Sequence, residues 1–331
     1  VTSPSELSPA PTGATEQVAL PFGLTWADLS GVLEPQPVED GCVIVSHVTR
    51  GRHQGGHPSV IVTLSYEASG GEVAERTLFF KLNPDASREA PRYRFLADHG
   101  VPVPQLVVCV ERPGDEVLGL QFLPSIGLYP ADVDDVHGLT AALNSRTEVP
   151  AGIGRTPPGL PQAQFEGRLS KVLAGLDRRH PEHEAATWFD IYRRAAVAYR
   201  GLPKALTHGE LAAQQLGRTR DGTLVVFDLA TVGLRARFAD IANLLPTLTK
   251  LSGRDERSLF EDYLGHLAEG HEALLGEQVW PELRLTRFTQ AMEALPWHLG
   301  VDEGEPALDQ RLQAMAADAE AVQTALSARP S

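Results

Sequence analysis

The order of periodicities along this chain predicts an α+β protein in which a small antiparallel β-sheet lobe precedes a larger, mainly helical lobe. Three observations carry that prediction. Five short apolar runs, rich in β-branched and aromatic residues and separated by Gly- or Pro-containing turns, occupy residues 42–123, with one helical stretch among them. From Pro130 onward the apolar spacing becomes helical. Inside that helical half, residues 206–228 revert to two apolar runs flanking Arg220-Asp221-Gly222, which reads as a β-hairpin and its turn.

Each element follows from its own residues. Val1 to Gln17 is rich in Pro, Ser, Thr and Gly and is expected to be a mobile tail. Trp26 to Leu33 reads as a short helix with Thr25 as its N-cap. Cys42–Val48, Ser59–Tyr66 and Arg76–Leu82 read as an antiparallel meander. The Gly-rich connection 49–58 and the turn Ala68-Ser69-Gly70-Gly71 join its strands. Ser87 to His99 is predicted helical, with Ser87 as cap, Gly100 as stop, and Pro102 and Pro104 forbidding continuation. Strands at Gln105–Glu111 and Val117–Leu123 flank a turn at 112–115. Helices are expected at 134–145, 163–178, 184–200, 240–251, 256–269, 282–297 and 307–327, with a Pro/Gly-rich loop at 150–161.

A length of 331 residues with 42% hydrophobic content suits two domains or one two-lobed unit. The net charge of -14 argues against broad binding to nucleic acid or to anionic membranes; it is compatible with a cationic or neutral substrate, and solubility alone is the simpler account of it. Cys42 and Cys109 lie in or beside apolar runs without metal-ligand spacing, as expected of buried thiols in a reducing compartment. No apolar run approaches membrane-spanning length, and the N-terminus lacks a basic start followed by an apolar block. The expectation is a cytoplasmic protein.

The residues that carry chemistry occur in a definite order. Lys81 ends the third strand, Glu89 opens the following helix, and His99-Gly100-Val101-Pro102-Val103-Pro104 follows it. Gln121-Phe122-Leu123-Pro124 joins the two halves, then come His208-Gly209-Glu210, Gln215, Asp228 and Asp240. Taken alone, Lys81 reads equally as an edge-strand surface lysine, and Glu89 as a first-turn acid complementing the helix dipole. Taken in order, from about Cys42 to Leu248, these residues resemble the aminoglycoside phosphotransferase (choline kinase-like) family, whose fold is two-lobed and protein-kinase-like.

The resemblance implies a small-molecule acceptor, ATP and Mg2+, with no nucleic-acid or membrane partner. Lys81 would bind the nucleotide phosphates and Glu89 would hold Lys81 forward. Backbone groups of Gln121, Phe122 and Leu123 would meet the adenine edge. Glu210 would orient the acceptor hydroxyl, His208 would serve the catalytic loop chiefly by bonding its backbone, and Gln215 and Asp228 would ligate the metal. Asp240 would open the next helix as an N-cap or serve as a loop anchor, and would not be a ligand. Gly51 and Gly55, with Gly56, permit close approach to phosphates, or else form a solvated hairpin tip. The implied organisation is a tail and short helix over 1–30, a nucleotide-binding lobe over 31–125, and a helical lobe with the catalytic hairpin over 126–331.

Glu210 and Gln215 stand where the family has Asp and Asn, and Ala212 and Ala213 replace its usual His-Pro. Each of the first two changes keeps the head group and adds one methylene, ~1.5 Å. The acidities of Glu and Asp differ by about 0.4 units, so placement matters more than basicity. A base must lie within about 3 Å of its proton, and ~1 Å of misplacement costs on the order of a hundredfold in rate. Two readings stay open: an active phosphotransferase whose loop accommodates the longer arms, or a kinase-shaped binding protein that transfers nothing. A peptide Ser/Thr kinase is a third. Gln214 takes the amide role if the loop is one residue shorter. Glu261, Asp262, Glu269, Glu272, Asp302, Glu303 and Glu305 either line a cation-friendly cleft or are solvated helix faces.

Overall fold

The structure, a computed structural model, describes residues 20–37, 43–50, 57–85, 88–147, 149–150, 152–153, 161–268, 279–298 and 305–327. The chain divides into two compact units, Val1–Arg88 with Gln105–Phe122, and Glu89–Pro104 with Leu123–Ser331.

The first unit contains helix α1 (Trp26–Ser30) and strands β1 (Val43–Arg50), β2 (Ser59–Glu67), β3 (Val73–Pro84), β4 (Leu106–Arg112) and β5 (Asp115–Gln121). Thr25 and Asp28 form a reciprocal capping box that starts α1. The antiparallel sheet has the order β1-β2-β3-β5-β4. The meander over the first three strands appears as the alternation predicts. β5 rather than β4 then takes the place beside β3, so the last hairpin is inserted in reverse.

Alternation along β2 turns Val60, Val62, Leu64 and Tyr66 inward, where they pack with Leu78 and Phe80 of β3 and with Leu24, Leu29 and Leu33. Gly119 pairs with Phe80 on one side and Val108 on the other. A β-carbon there would stand 2.8 Å from the Phe80 ring and 3.0 Å from Val108 Cβ. Gly119→Ala is therefore expected to destabilise the protein by about 1–3 kcal/mol through overpacking; an unchanged melting curve by circular dichroism would show that Phe80 relaxes freely.

The second unit opens with α2 (Ala90–Asp98). This helix starts three residues later than the sequence suggests; Pro91 occupies its first turn, where the missing N–H costs nothing. Ser87, the expected cap, lies outside the described residues, as do the tail, Cys42, most of the Gly-rich connection and most of the 150–161 loop. Gly100, at φ +73, ends the helix as predicted.

There follow β6 (Ser125–Ile126), α3 (Val133–Asn144), α4 (Gln162–Arg179), α5 (Trp188–Arg200), β7 (Lys204–Thr207), β8 (Leu216–Arg218), β9 (Leu224–Val226), β10 (Gly233–Ala236), α6 (Ala239–Ser252), α7 (Glu256–Ala268), α8 (Val279–His298) and α9 (Glu305–Ser327). α5 begins at Trp188 rather than Glu184, because Glu184 is left-handed (φ 49) between two short 3-10 turns. Leu169, Leu173 and Leu176 of α4 pack with Ile191, Phe288, Met292, Leu312, Met315 and Ala319 of α5, α8 and α9, the stripe spacing of amphipathic helices.

One correction bears on the site. The run from Leu206 to Leu216 is not one hairpin strand. It breaks at Gly209 (φ +91) and at a 3-10 turn over Ala213–Gln215. β7 therefore pairs with β10, and the hairpin is β8–β9, turning through Gly222 at φ +88.

Among the described residues no helix is long and apolar enough to cross a membrane. Glu261 and Asp262 are paired with Arg257 and Arg254 on α7 and the turn before it. Glu269, Glu272, Asp302 and Glu303 lie outside the described residues.

Candidate active site

The second unit brings together the loop after β7, the β8–β9 hairpin, α2, α3 and α6. β7 ends at Thr207, and His208 begins the loop. Asp240, in the first turn of α6 and fully buried, accepts hydrogen bonds from the backbone N–H of His208 (2.8 Å) and of Gly209 (3.1 Å). It also accepts one from Asn144 Nδ2 (3.0 Å), whose amide donates as well to Leu206 O (2.9 Å). The Tyr263 hydroxyl donates to Asn144 Oδ1 (2.9 Å). Burial pushes the Tyr263 phenol well above its ordinary pKa, which keeps it a donor. Three elements thus hold the loop through one carboxylate.

The loop is tied to the 227–231 segment by two further bonds. His208 Nε2 donates to Phe227 O (2.9 Å), and Thr231 Oγ1 donates to His208 O (2.8 Å). The His208 bond is to backbone, immediately before Asp228. Gly209 carries φ +91, and a β-carbon there would stand 2.7 Å from the Arg235 guanidinium, so both conformation and space call for glycine. Glu210 follows, solvent-exposed, and Gln214 is exposed as well.

Gln215 is different. It is half-buried, its backbone C=O accepts from Phe227 N–H (3.0 Å), and its side-chain Oε1 is buried without a hydrogen-bond partner. Asp228 is half-buried in the left-handed region (φ 63, ψ 60), a conformation that Asp tolerates better than most side chains. Its N–H donates to Tyr93 Oη (3.2 Å), and the next N–H, of Leu229, donates to Glu89 Oε2 (3.0 Å). Arg92 Nε donates to Val232 O (3.2 Å). Glu89, Arg92 and Tyr93 thus grip the 228–232 segment from α2. Glu89 is fully buried.

In the first unit, Lys81 is buried on β3, paired with Ser59 and with Leu118 of β5. Alternation puts it on the sheet face opposite Phe80, together with Asn83, which donates to Glu116 Oε1 (3.3 Å). Gln121 ends β5, its side-chain oxygen accepting from Gln105 N–H (3.3 Å), and Phe122 is half-buried. Leu123 belongs to the second unit and packs against Gly217 of β8. Gly51 and Gly55 lie outside the described residues.

Sequence reasoning missed Tyr93, Arg92, Asn144, Tyr263 and Thr231. A signal existed for α2: Glu89, Arg92, Tyr93 and Leu96 follow i, i+3, i+4, i+7, so its buried face carries polar groups that need partners. Asn144 and Tyr263 carried no such mark, because their pairing joins positions 119 residues apart.

Comparison with known proteins is consistent with this geometry. The model of the phosphotransferase enzyme family matches residues 66–286. Among solved structures, a spectinomycin phosphotransferase in complex with ADP and spectinomycin superposes with a TM-score of 0.52 at 10% identity, covering 84% of this chain and 94% of its own. A choline kinase from Streptococcus pneumoniae gives 0.46 at 13% identity, with coverages of 85% and 94%. An aminoglycoside-3'-phosphotransferase of type VIII gives 0.48 at 17% identity, with coverages of 74% and 93%. No curated protein matches the sequence. The spectinomycin phosphotransferase shares the fold, and with two thirds of its length matched by the family model, the chain belongs to the phosphotransferase enzyme family.

Proposed function

We propose that this phosphotransferase is ATP-dependent and moves the γ-phosphoryl group to a hydroxyl of a small molecule of antibiotic or natural-product type. The observation that carries the reading is the unsatisfied Oε1 of Gln215, whose backbone pairs with Phe227, the residue before the half-buried Asp228. A buried amide oxygen without a donor costs free energy unless a ligand completes it. A neutral oxygen paired with a carboxylate is a donor set that suits a hard divalent cation. Gln215 and Asp228 would hold Mg2+, whose charge neutralises phosphate oxygens.

The protein's own residues do the rest. Asp240 fixes the amides of His208 and Gly209, which sets the direction from which Glu210 leaves the loop. Glu210 orients the acceptor hydroxyl and takes its proton, and its exposure leaves it open to an arriving acceptor. Glu89 and Tyr93 hold the backbone on which Asp228 stands. Lys81 is assigned the nucleotide phosphates, and the backbone of Gln121, Phe122 and Leu123 the adenine edge. The spectinomycin phosphotransferase, solved with ADP and spectinomycin, supports a nucleotide and a small-molecule acceptor as the first ligands to try.

The test is acceptor-dependent ADP release over a panel of amino sugars, aminocyclitols and amino alcohols, run on wild type and on Glu210→Gln. Wild type is expected to turn over at least one acceptor. Glu210→Gln is expected to lose about a hundredfold or more in kcat, while a Mg-ATP thermal shift persists. A wild type that neither shifts with Mg-ATP nor releases ADP refutes the reading, and so does a Glu210→Gln variant at full rate.

A further inference from the structure

Away from the catalytic loop, α3 and α7 bring together Asp134, His137 and Asp262. One ligand-capable atom from each lies within 4.8 Å of the others. Asp134 and His137 are three apart on α3, which places them on one helical face. Asp262 and His266, four apart, do the same on α7. The His266 ring lies against α3 at Gly138, its Nδ1 3.8 Å from where a β-carbon would stand. Its centroid is 6.3 Å from that of His137.

Clustered carboxylates alone mean little on a surface. The second observation is His137 itself. Its side chain is fully buried, and neither ring nitrogen has a hydrogen-bond partner. Buried imidazoles normally donate one N–H and accept at the other nitrogen. Here one ring nitrogen instead faces two carboxylates that compete little for it: Asp134 is exposed, and Asp262 is engaged by Arg254 through Oδ2 (2.6 Å).

We propose that Asp134, His137 and Asp262 form a binding site for a borderline divalent transition metal such as Zn2+, with His266 within reach as a fourth ligand. The donor set decides the metal. Imidazole with carboxylate suits Zn2+ and Co2+ and gives little to Mg2+, which takes oxygen almost exclusively. Tetrahedral coordination at about 2.0–2.1 Å spaces donors by roughly 3.4 Å, so small side-chain rotations close the cluster. Three of the four side chains reach the surface, which gives the ion a route in. Binding clamps α3 to α7, the helices that supply Asn144 and Tyr263 to the loop anchor. The site shares no residue with the pair Gln215 and Asp228, so it stands or falls independently of the proposed reaction.

The test is a Co2+ titration of the full chain, followed by visible absorption and chased with Zn2+. One equivalent is expected to give ligand-field bands stronger than those of aqueous Co2+, and Zn2+ is expected to abolish them. Asp134→Asn and Asp262→Asn, at partly exposed positions that leave the core intact, are each expected to weaken binding by more than about tenfold. His183→Gln, which disrupts the unrelated group of Glu182, His183 and Asp309, is expected to leave it unchanged. Absence of enhanced bands in the wild type, equal affinity in both Asn variants, or loss of binding in His183→Gln alone overturns the proposal.

Discussion

Asp228→Asn is expected to lower phosphoryl transfer on the order of a thousandfold while leaving the melting temperature within about a degree of wild type. Asparagine is the informative substitution because of the backbone. Asp228 sits at φ 63, ψ 60, and Asn shares with Asp a tolerance for the left-handed region that Ala lacks. The bonds that fix this segment, from Asp228 N–H to Tyr93 and from Leu229 N–H to Glu89, involve main chain and survive the change. What is removed is one negative charge beside Gln215, where the proposed reaction requires it to hold a cation. The rate should therefore fall while these main-chain bonds persist, and added Mg2+ should recover part of it. Acceptor-dependent ADP release measured beside a circular dichroism melt separates the outcomes: an active Asp228→Asn enzyme removes Asp228 from the chemistry, whereas an inactive, destabilised one assigns it a structural part.

Much of this arrangement was legible in the residues, for a physical reason. Strands β2 and β3 announce themselves because period-2 alternation over seven or more residues leaves few alternatives, and the helical stripes of α4 and α9 do so at period 3.6. Local backbone events were harder. The stretch from Leu206 to Leu216 is apolar enough to pass for one strand, but Gly209 at φ +91 and the turn at Ala213–Gln215 divide it. A glycine in an apolar run permits such a break without announcing it. The order of β5 and β4 was not legible either, because a hairpin inserts either way round with the same alternation.

Polar pairings were the least visible. The Glu89 carboxylate accepts a bond from Leu229 N–H, a main-chain group that carries no signature in sequence. Asn144 lies in the last turn of α3 and touches Asp240, which is 96 residues away. Such contacts depend on how helices pack, and no local window contains them. Asp240 itself was legible as a loop anchor, although it works from inside the first turn of α6 and not as the N-cap.

That anchor is where a single substitution is expected to do the most structural damage. Asp240→Ala removes one buried carboxylate and strands three donors: His208 N–H, Gly209 N–H and one bond of the Asn144 amide. Hydrogen bonds to a charged acceptor are the stronger kind, and each buried donor left without a partner costs about 1–3 kcal/mol. Asn144 keeps its bond to Leu206 O, and Gly209 has some access to water, so the sum falls at the low end, on the order of 3–5 kcal/mol. At roughly 2–4 °C per kcal/mol for a unit of this size, the melting temperature should drop by about 10 °C. Tyr263→Phe cuts the same network one link further out, at the hydroxyl donating to Asn144 Oδ1, and should cost about 1 kcal/mol by itself. Because the two changes share Asn144, the double variant should be less destabilised than the sum of the singles. Strict additivity in thermal melts would mean that Tyr263 and Asp240 act separately, and that the loop carrying Glu210 is positioned by something other than this chain of bonds.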